Sequence, residues 1–193
     1  MQKFISALIF LALLFPVAAH AAKAHPARKA PVKTEKKETA PAGSSADNPV
    51  LIKAFGDWKA YYFTDQGAKV CFMSSPPEKQ EGKFKKRGDV LFFITHWAAD
   101  KTKNVISVSA GYAYKDESTA TVTVDDHDFT LATVGETAWA RDSGTDTAIA
   151  EAIRKGSSLS VTGTSKHGTK TKDTYSLKGS SAAYEAITKT CGF

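Results

Sequence analysis

The sequence predicts a mainly β domain, an antiparallel β-sandwich or partly closed barrel with two short helices at about residues 145–155 and 180–190. Three observations lead there. Short stretches of alternating apolar and polar residues recur at roughly ten-residue spacing between Gly, Asp and Pro turn signals, the pattern of antiparallel strands. Two stretches carry apolar residues at helical spacing instead. The chain has only two cysteines, Cys71 on an early strand and Cys191 on the last helix, so an intramolecular bridge can only join those two.

The first 49 residues are expected to stand apart from that domain. Lys3, the apolar run Phe4 to Phe15, Pro16 and the small residues of Ala19-His20-Ala21 have the layout of a secretory signal peptide over residues 1–21. Residues 22–49 then shift to Lys, Ala, Pro, Thr and Glu without apolar periodicity, and such a stretch cannot bury enough surface to offset its chain entropy. It is expected to be a disordered basic arm. Seven of the 26 basic and three of the 20 acidic residues precede Val50, so residues 50–193 carry only about +2. A single domain of that balance has no broad electrostatic footprint for nucleic acid. The arm leaves contact with anionic envelope polymers open.

Within the domain, Trp58 to Phe63 forms a first strand with aromatic residues on both faces, and Asp65-Gln66-Gly67 turns the chain. Lys69 to Ser74 returns and carries Cys71, and Pro76-Pro77 ends it. Gly82 to Asp89 is a basic loop or hairpin tip. Val90 to Trp97, VLFFITHW, is apolar on both faces, which predicts a central strand covered on both sides. Asn104 to Ala110 and Thr119 to Val124 alternate as half-buried strands, and Glu136 to Arg141 adds another with Trp139.

A helix is expected from Thr145 or Asp146, with Ile149, Ala152 and Ile153 on one face, Arg154 and Lys155 in the last turn and Gly156 at C′. Ser158 to Gly163 and Thr169 to Leu177 read as a hairpin around His167-Gly168. In the last helix Ser180 and Ser181 are candidate caps, and Tyr184, Ile187 and Cys191 fall at i, i+3 and i+7. An exported chain favours a structural disulfide over a metal or redox role for its two cysteines.

Chemistry is sparse. His96, His127 and His167 lack metal-ligand spacing, and Asp125-Asp126-His127-Asp128 reads as a polar turn, so neither a metal nor a cofactor is expected. Gly163 to Lys170, GTSKHGTK, approaches a phosphate loop but runs into a strand pattern where a helix N-terminus is required. No nucleophile motif of the hydrolase types is present, and Arg87-Gly88-Asp89 reads as an ordinary turn before a strand. The candidate partner surface is the aromatic strand, Trp58, Tyr61, Tyr62 and Phe63, since exposed aromatics mark partner sites.

The FGDW start (Phe55 to Trp58), Cys71, the VLFFITHW strand and the ending YSLKGSSAAYEAITKTC resemble the invasion-associated locus B family of exported bacterial proteins. The Ser176, Leu177, Gly179 and Ala183 pattern carries most of that resemblance. It implies a non-enzymatic periplasmic or surface-associated protein of a Gram-negative envelope, in a family linked to host-cell entry. An envelope hydrolase or small-ligand carrier and a periplasmic enzyme inhibitor stay open as alternatives.

Overall fold

Asp142, Gly179 and the pair Pro76-Pro77 set the main boundaries of the fold. The computed structural model describes residues 44–84 and 86–193, and these belong to one compact unit spanning Thr39–Phe193. The expected signal peptide (1–21) and residues 22–43 of the expected arm (22–49) lie outside the described residues. The last arm residues make a tight turn, with Ser45 and Asn48 exchanging backbone hydrogen bonds.

Eleven strands and two helices follow in order: β1 Val50–Phe55, β2 Trp58–Asp65, β3 Ala68–Ser75, β4 Lys79–Glu81, β5 Leu91–Trp97, β6 Thr102–Ser109, β7 Thr119–Val124, β8 His127–Val134, β9 Thr137–Trp139, α1 Ser143–Lys155, β10 Leu159–Thr164, β11 Lys170–Tyr175 and α2 Ser180–Thr190. The expected mainly β architecture with two helices is present. Sequence reasoning missed β1 and β4, read His127 and Asp128 as turn where they open β8, and placed the start of α1 two or three residues late. Asp142 sets that start: its carboxylate accepts from the Thr145 backbone N–H at 2.8 Å and so satisfies one of the helix's orphan donors.

The strands form one antiparallel sheet in the order β1-β2-β3-β5-β6-β9-β8-β7-β10-β11-β4, open between β1 and β4. Only Pro76, Pro77 and Glu78 separate β3, near one edge, from β4 at the other. The four Cα–Cα steps from Ser75 to Lys79 reach about 14 Å at most, so the sheet must curl until its inner faces meet. Phe92 of β5 accordingly packs edge-on against Tyr175 of β11 at 5.8 Å, and Trp58 against Phe92 at 6.1 Å. The register stacks Ala60, Met73, Ile94 and Ile106 in one inward row, all fully buried.

Both helices lie on this inner side. α2 presents Ala183, Tyr184 and Ile187 to the core, and Cys191, the C-cap that follows it, bonds to Cys71 of β3, with Cα atoms 5.9 Å apart. The serines expected to cap α2 do something else. Gly179, at φ 90°, is the N-cap, while the Ser180 and Ser181 hydroxyls donate to Ile153 O and Arg154 O, closing the C-terminal carbonyls of α1. A Cβ on Gly179 would run into the Phe55 carbonyl, so this approach of α2 to β1 needs glycine. Gly156 also departs from expectation, being extended at φ −79°; its lack of a side chain matters because Val124 and Ala152 O crowd it.

Removing the bridge frees a loop of 120 residues in the unfolded chain, a loss of about 4 to 5 kcal/mol in the chain-entropy picture. Cys71→Ser with Cys191→Ser should lower the urea-unfolding free energy by several kcal/mol, and dithiothreitol should lower the wild type equally. An unchanged midpoint would show that packing alone holds α2.

Candidate functional site

Strand β5 decides where a surface can form. Its inward side chains Phe92, Ile94 and His96 are buried, whereas Leu91, Phe93, Thr95 and Trp97 face outward and stay partly exposed. The expectation of a strand covered on both sides is therefore corrected: the helices cover one side only, and the second apolar face is a surface.

Residues paired across antiparallel strands share a face, and the register assembles that surface row by row. One row runs Lys59, Ser74, Phe93, Ser107 and Trp139; the next runs Leu51, Tyr61, Phe72, Thr95 and Val105; a third runs Phe63, Val70 and Trp97. Tyr61 stacks on Phe72 at 5.1 Å, and Phe63 and Phe93 flank Phe72 at 6.4 and 6.2 Å. Between the rows lies a shallow groove of about 320 Å³, walled by Phe63, Phe72, Phe93, Trp97 and Trp139 and edged by the hydroxyls of Thr95, Ser107, Ser109 and Thr137. Trp97 is 37% and Trp139 42% exposed. None of the register-paired outward residues on β3, β5, β6 and β9 is charged.

The four aromatic residues singled out from the sequence divide between the two faces. Tyr61 and Phe63 stand on this surface. Trp58 does not: it is fully buried, and its indole N–H donates to Ser176 O at 2.8 Å. Tyr62 pairs with Cys71 on the inner side and packs against the core, with the Lys69 ammonium 5.3 Å over its ring. Trp58 and Tyr62 are therefore removed from the partner surface, because alternation sends every second residue of β2 inward. Phe72, Phe93, Trp97 and Trp139 were missed. The double-faced apolar pattern of VLFFITHW was the signal for Phe93 and Trp97.

Arg87, Asp125 and Asp128, flagged in the sequence, have structural partners. The Arg87 guanidinium forks onto Asp173 at 2.7 and 2.6 Å, its Nε donates to Ala110 O, and Phe84 and Tyr112 lie within 5.6 and 5.0 Å of it. The arginine of the Arg87-Gly88-Asp89 turn thus points inward. Asp125 accepts from the Ser157 and Ser158 backbone N–H groups, which hold its carboxyl below the usual range, and Asp128 accepts from Thr123. Among the described residues no group of three or more His, Cys, Asp or Glu side chains is placed to hold a metal ion. Burial pushes the Tyr114 and Tyr175 hydroxyls up, so both are neutral, and among the described residues Tyr175 Oη has no hydrogen-bond partner.

His96 shows how tightly the inner side is built. Its Nδ1 accepts from the Asn104 backbone N–H at 3.1 Å. Thr188 Oγ1 already donates to Tyr184 O, so the proton resides on Nε2, which donates to Thr188 Oγ1 at 3.1 Å. Desolvation, with the Lys103 charge adding to it, pushes the imidazole down to about 4.

The model of the Invasion associated locus B (IalB) protein family matches residues 58–188. The chain belongs to that family. Its fold is similar to the crystal structure of invasion associated protein B from Bartonella henselae, with a TM-score of 0.51 and 18% identity over 73% of this chain and 96% of that one. No curated protein matches. The resemblance read from FGDW and the terminal pattern is therefore borne out at the level of family and fold. In this IalB-family chain the two motifs touch, since Trp58 bonds to Ser176 O and Gly179 lies against the Phe55 carbonyl.

The low folded-state pKa of His96 sets a pH dependence. An unfolded imidazole takes up a proton near 6.5 and the folded one only near 4, so stability present above 6.5 is lost as pH falls toward 4. Between pH 7.5 and 4.5 the wild type should lose about 2 to 3 kcal/mol more urea-unfolding free energy than His96→Gln. Parallel losses in both proteins would contradict the neutral, buried imidazole.

Proposed function

We propose that this IalB-family protein is a non-enzymatic accessory protein of the bacterial envelope, exported to the periplasm and possessing one main working surface. That surface is the outward face of β2, β3, β5, β6 and β9, and it takes a protein partner that contributes to envelope function or host-cell interaction. The single observation that carries this reading is the bare aromatic face, uncharged across β3, β5, β6 and β9, with Trp97 and Trp139 exposed on it. Charge depletion with Trp, Tyr and Phe enrichment is the composition of an interface core. Five strands at about 4.8 Å spacing give a patch roughly 20 Å across, of the order a protein partner covers and too flat to enclose a small ligand.

The alternatives that need an interior site have less behind them. Trp58, Met73, Phe92, Ile94 and Tyr175 fill the space between the inner faces where a carrier or hydrolase of this shape would hold its ligand. Export agrees with the disulfide and with the family, and among the described residues no helix is long and apolar enough to cross a membrane. The basic segment before Val50 is a secondary contact for anionic envelope polymers in this account.

A photoreactive amino acid placed at Thr95, inside the groove, and at Lys166, on the β10–β11 turn, distinguishes the outcomes in intact cells of the native host. Crosslinking from Thr95 to one discrete protein, absent from Lys166 and lost in Trp97→Ser with Trp139→Ser, is the expected result. An adduct of twice the chain mass would make the partner a second copy, and equal labelling from both positions would overturn the assignment of this face.

A further inference from the structure

We propose that the crevice between α1 and the β5–β6 turn is a binding site for a phosphate-bearing anion. It lies apart from the aromatic face and does not depend on the function assigned to that face.

The crevice measures about 510 Å³. One wall is a stripe of α1, Ser143, Thr147, Glu151 and Arg154, at the i, i+4, i+8 and i+11 positions that share a helix face. The stripe is about 16 Å long at 1.5 Å per residue, room for more than one charged group. The opposite wall is the segment from Lys101 to Asn104, and Tyr184 of α2 lies at the Arg154 end.

Three cationic residues, Lys101, Lys103 and Arg154, line it from two elements, the Lys103 ammonium lying 5.5 Å from the Phe193 ring centroid, and no carboxylate among the described residues lies within ion-pair distance of any of them. The one acidic residue of the lining, Glu151, is paired with Lys155 at 3.4 Å. Asp142 at the start of α1 is occupied by Thr145, and Asp146 accepts from the Ile106 backbone N–H. The local balance is therefore positive although the domain as a whole is nearly neutral.

The arrangement is held in place before any ligand arrives. Arg154 stacks 4.5 Å over the Tyr184 ring, whose hydroxyl donates to Asn104 Oδ1 at 2.7 Å, and the Asn104 amide reaches Thr147 Oγ1 at 3.4 Å. The Tyr184 ring supports one side of the guanidinium, and among the described residues no side-chain hydrogen bond or ion pair engages its N–H fork, which suits it to phosphate oxygens. Lys101 and Asn104 both have left-handed backbone, at φ 55° and 68°, an uncommon state for residues other than glycine that clusters at ligand sites. At Asn104 it turns the backbone N–H to His96 Nδ1 and away from the strand ladder.

Inorganic pyrophosphate and phosphatidylglycerol vesicles separate the two sources of such a group. Pyrophosphate should shift the amide resonances of Lys103, Asn104 and Thr147 saturably, with affinity falling as salt rises. Lys101→Gln with Lys103→Gln, which leaves the Arg154 stack intact, and the triple variant adding Arg154→Gln should each weaken binding about tenfold or more. The charge-matched control Lys166→Gln, Lys170→Gln, Lys172→Gln should stay within about twofold. Vesicle flotation lost in the same variants assigns the phosphate to a lipid headgroup, and pyrophosphate binding without flotation assigns it to a soluble ligand. Absence of saturable shifts with either probe, or equal loss in the control, would overturn the site.

Discussion

The bond between Cys71 and Cys191 decides which side of the sheet α2 occupies. Cys71 points inward from β3, so its bridge holds the end of α2 against the inner surface of β2, β3 and β5. Everything that α2 covers is core, and everything on the other side of those strands is left to solvent. The same helix closes the carbonyls of α1 through Ser180 and Ser181 and engages His96 through Thr188. One covalent tie therefore fixes both the packing of the helices and the existence of a bare aromatic face.

The family pattern has a physical reading in these terms. Phe55-Gly56-Asp57-Trp58 and Ser176-Leu177-Lys178-Gly179 lie at opposite ends of the domain sequence and against each other in space. Trp58 needs a carbonyl for its buried indole N–H, and Ser176 supplies it. Gly179 needs to be glycine because the chain enters α2 with its backbone against the Phe55 carbonyl. These residues close the domain and touch no candidate ligand. The likeness to the Bartonella henselae protein, at 18% identity, accordingly extends to the fold and leaves the working surface to be argued from this chain's own residues.

Alternation and turn chemistry made most of the fold legible in the sequence: β2, β3, β5, β6, β7, β10 and both helices all had their period and their punctuation. β1 was missed because Lys53 and a register shift between Leu51 and Lys53 break its pattern, and β4 because three polar residues, Lys79, Gln80 and Glu81, carry no pattern at all. The surface was half legible. A stretch apolar on both faces has two physical explanations, burial on both sides or burial on one side with an exposed apolar surface, and VLFFITHW does not distinguish them. Only the side taken by α2 does. Lys101, Lys103 and Arg154 were illegible for another reason: some 50 residues separate the lysines from the arginine, and only the packing of α1 on β6 brings them together.

The central claim is that the disulfide-fixed helix leaves the sheet's aromatic face open, with Trp58 sealed inside and the other two tryptophans outside. Acrylamide quenching of tryptophan fluorescence reads this directly. The account predicts two populations, an accessible, red-shifted one from Trp97 and Trp139 and a protected, blue-shifted one that disappears in Trp58→Phe. Uniform protection of all three tryptophans in the monomer would mean that the face is covered and would contradict the account.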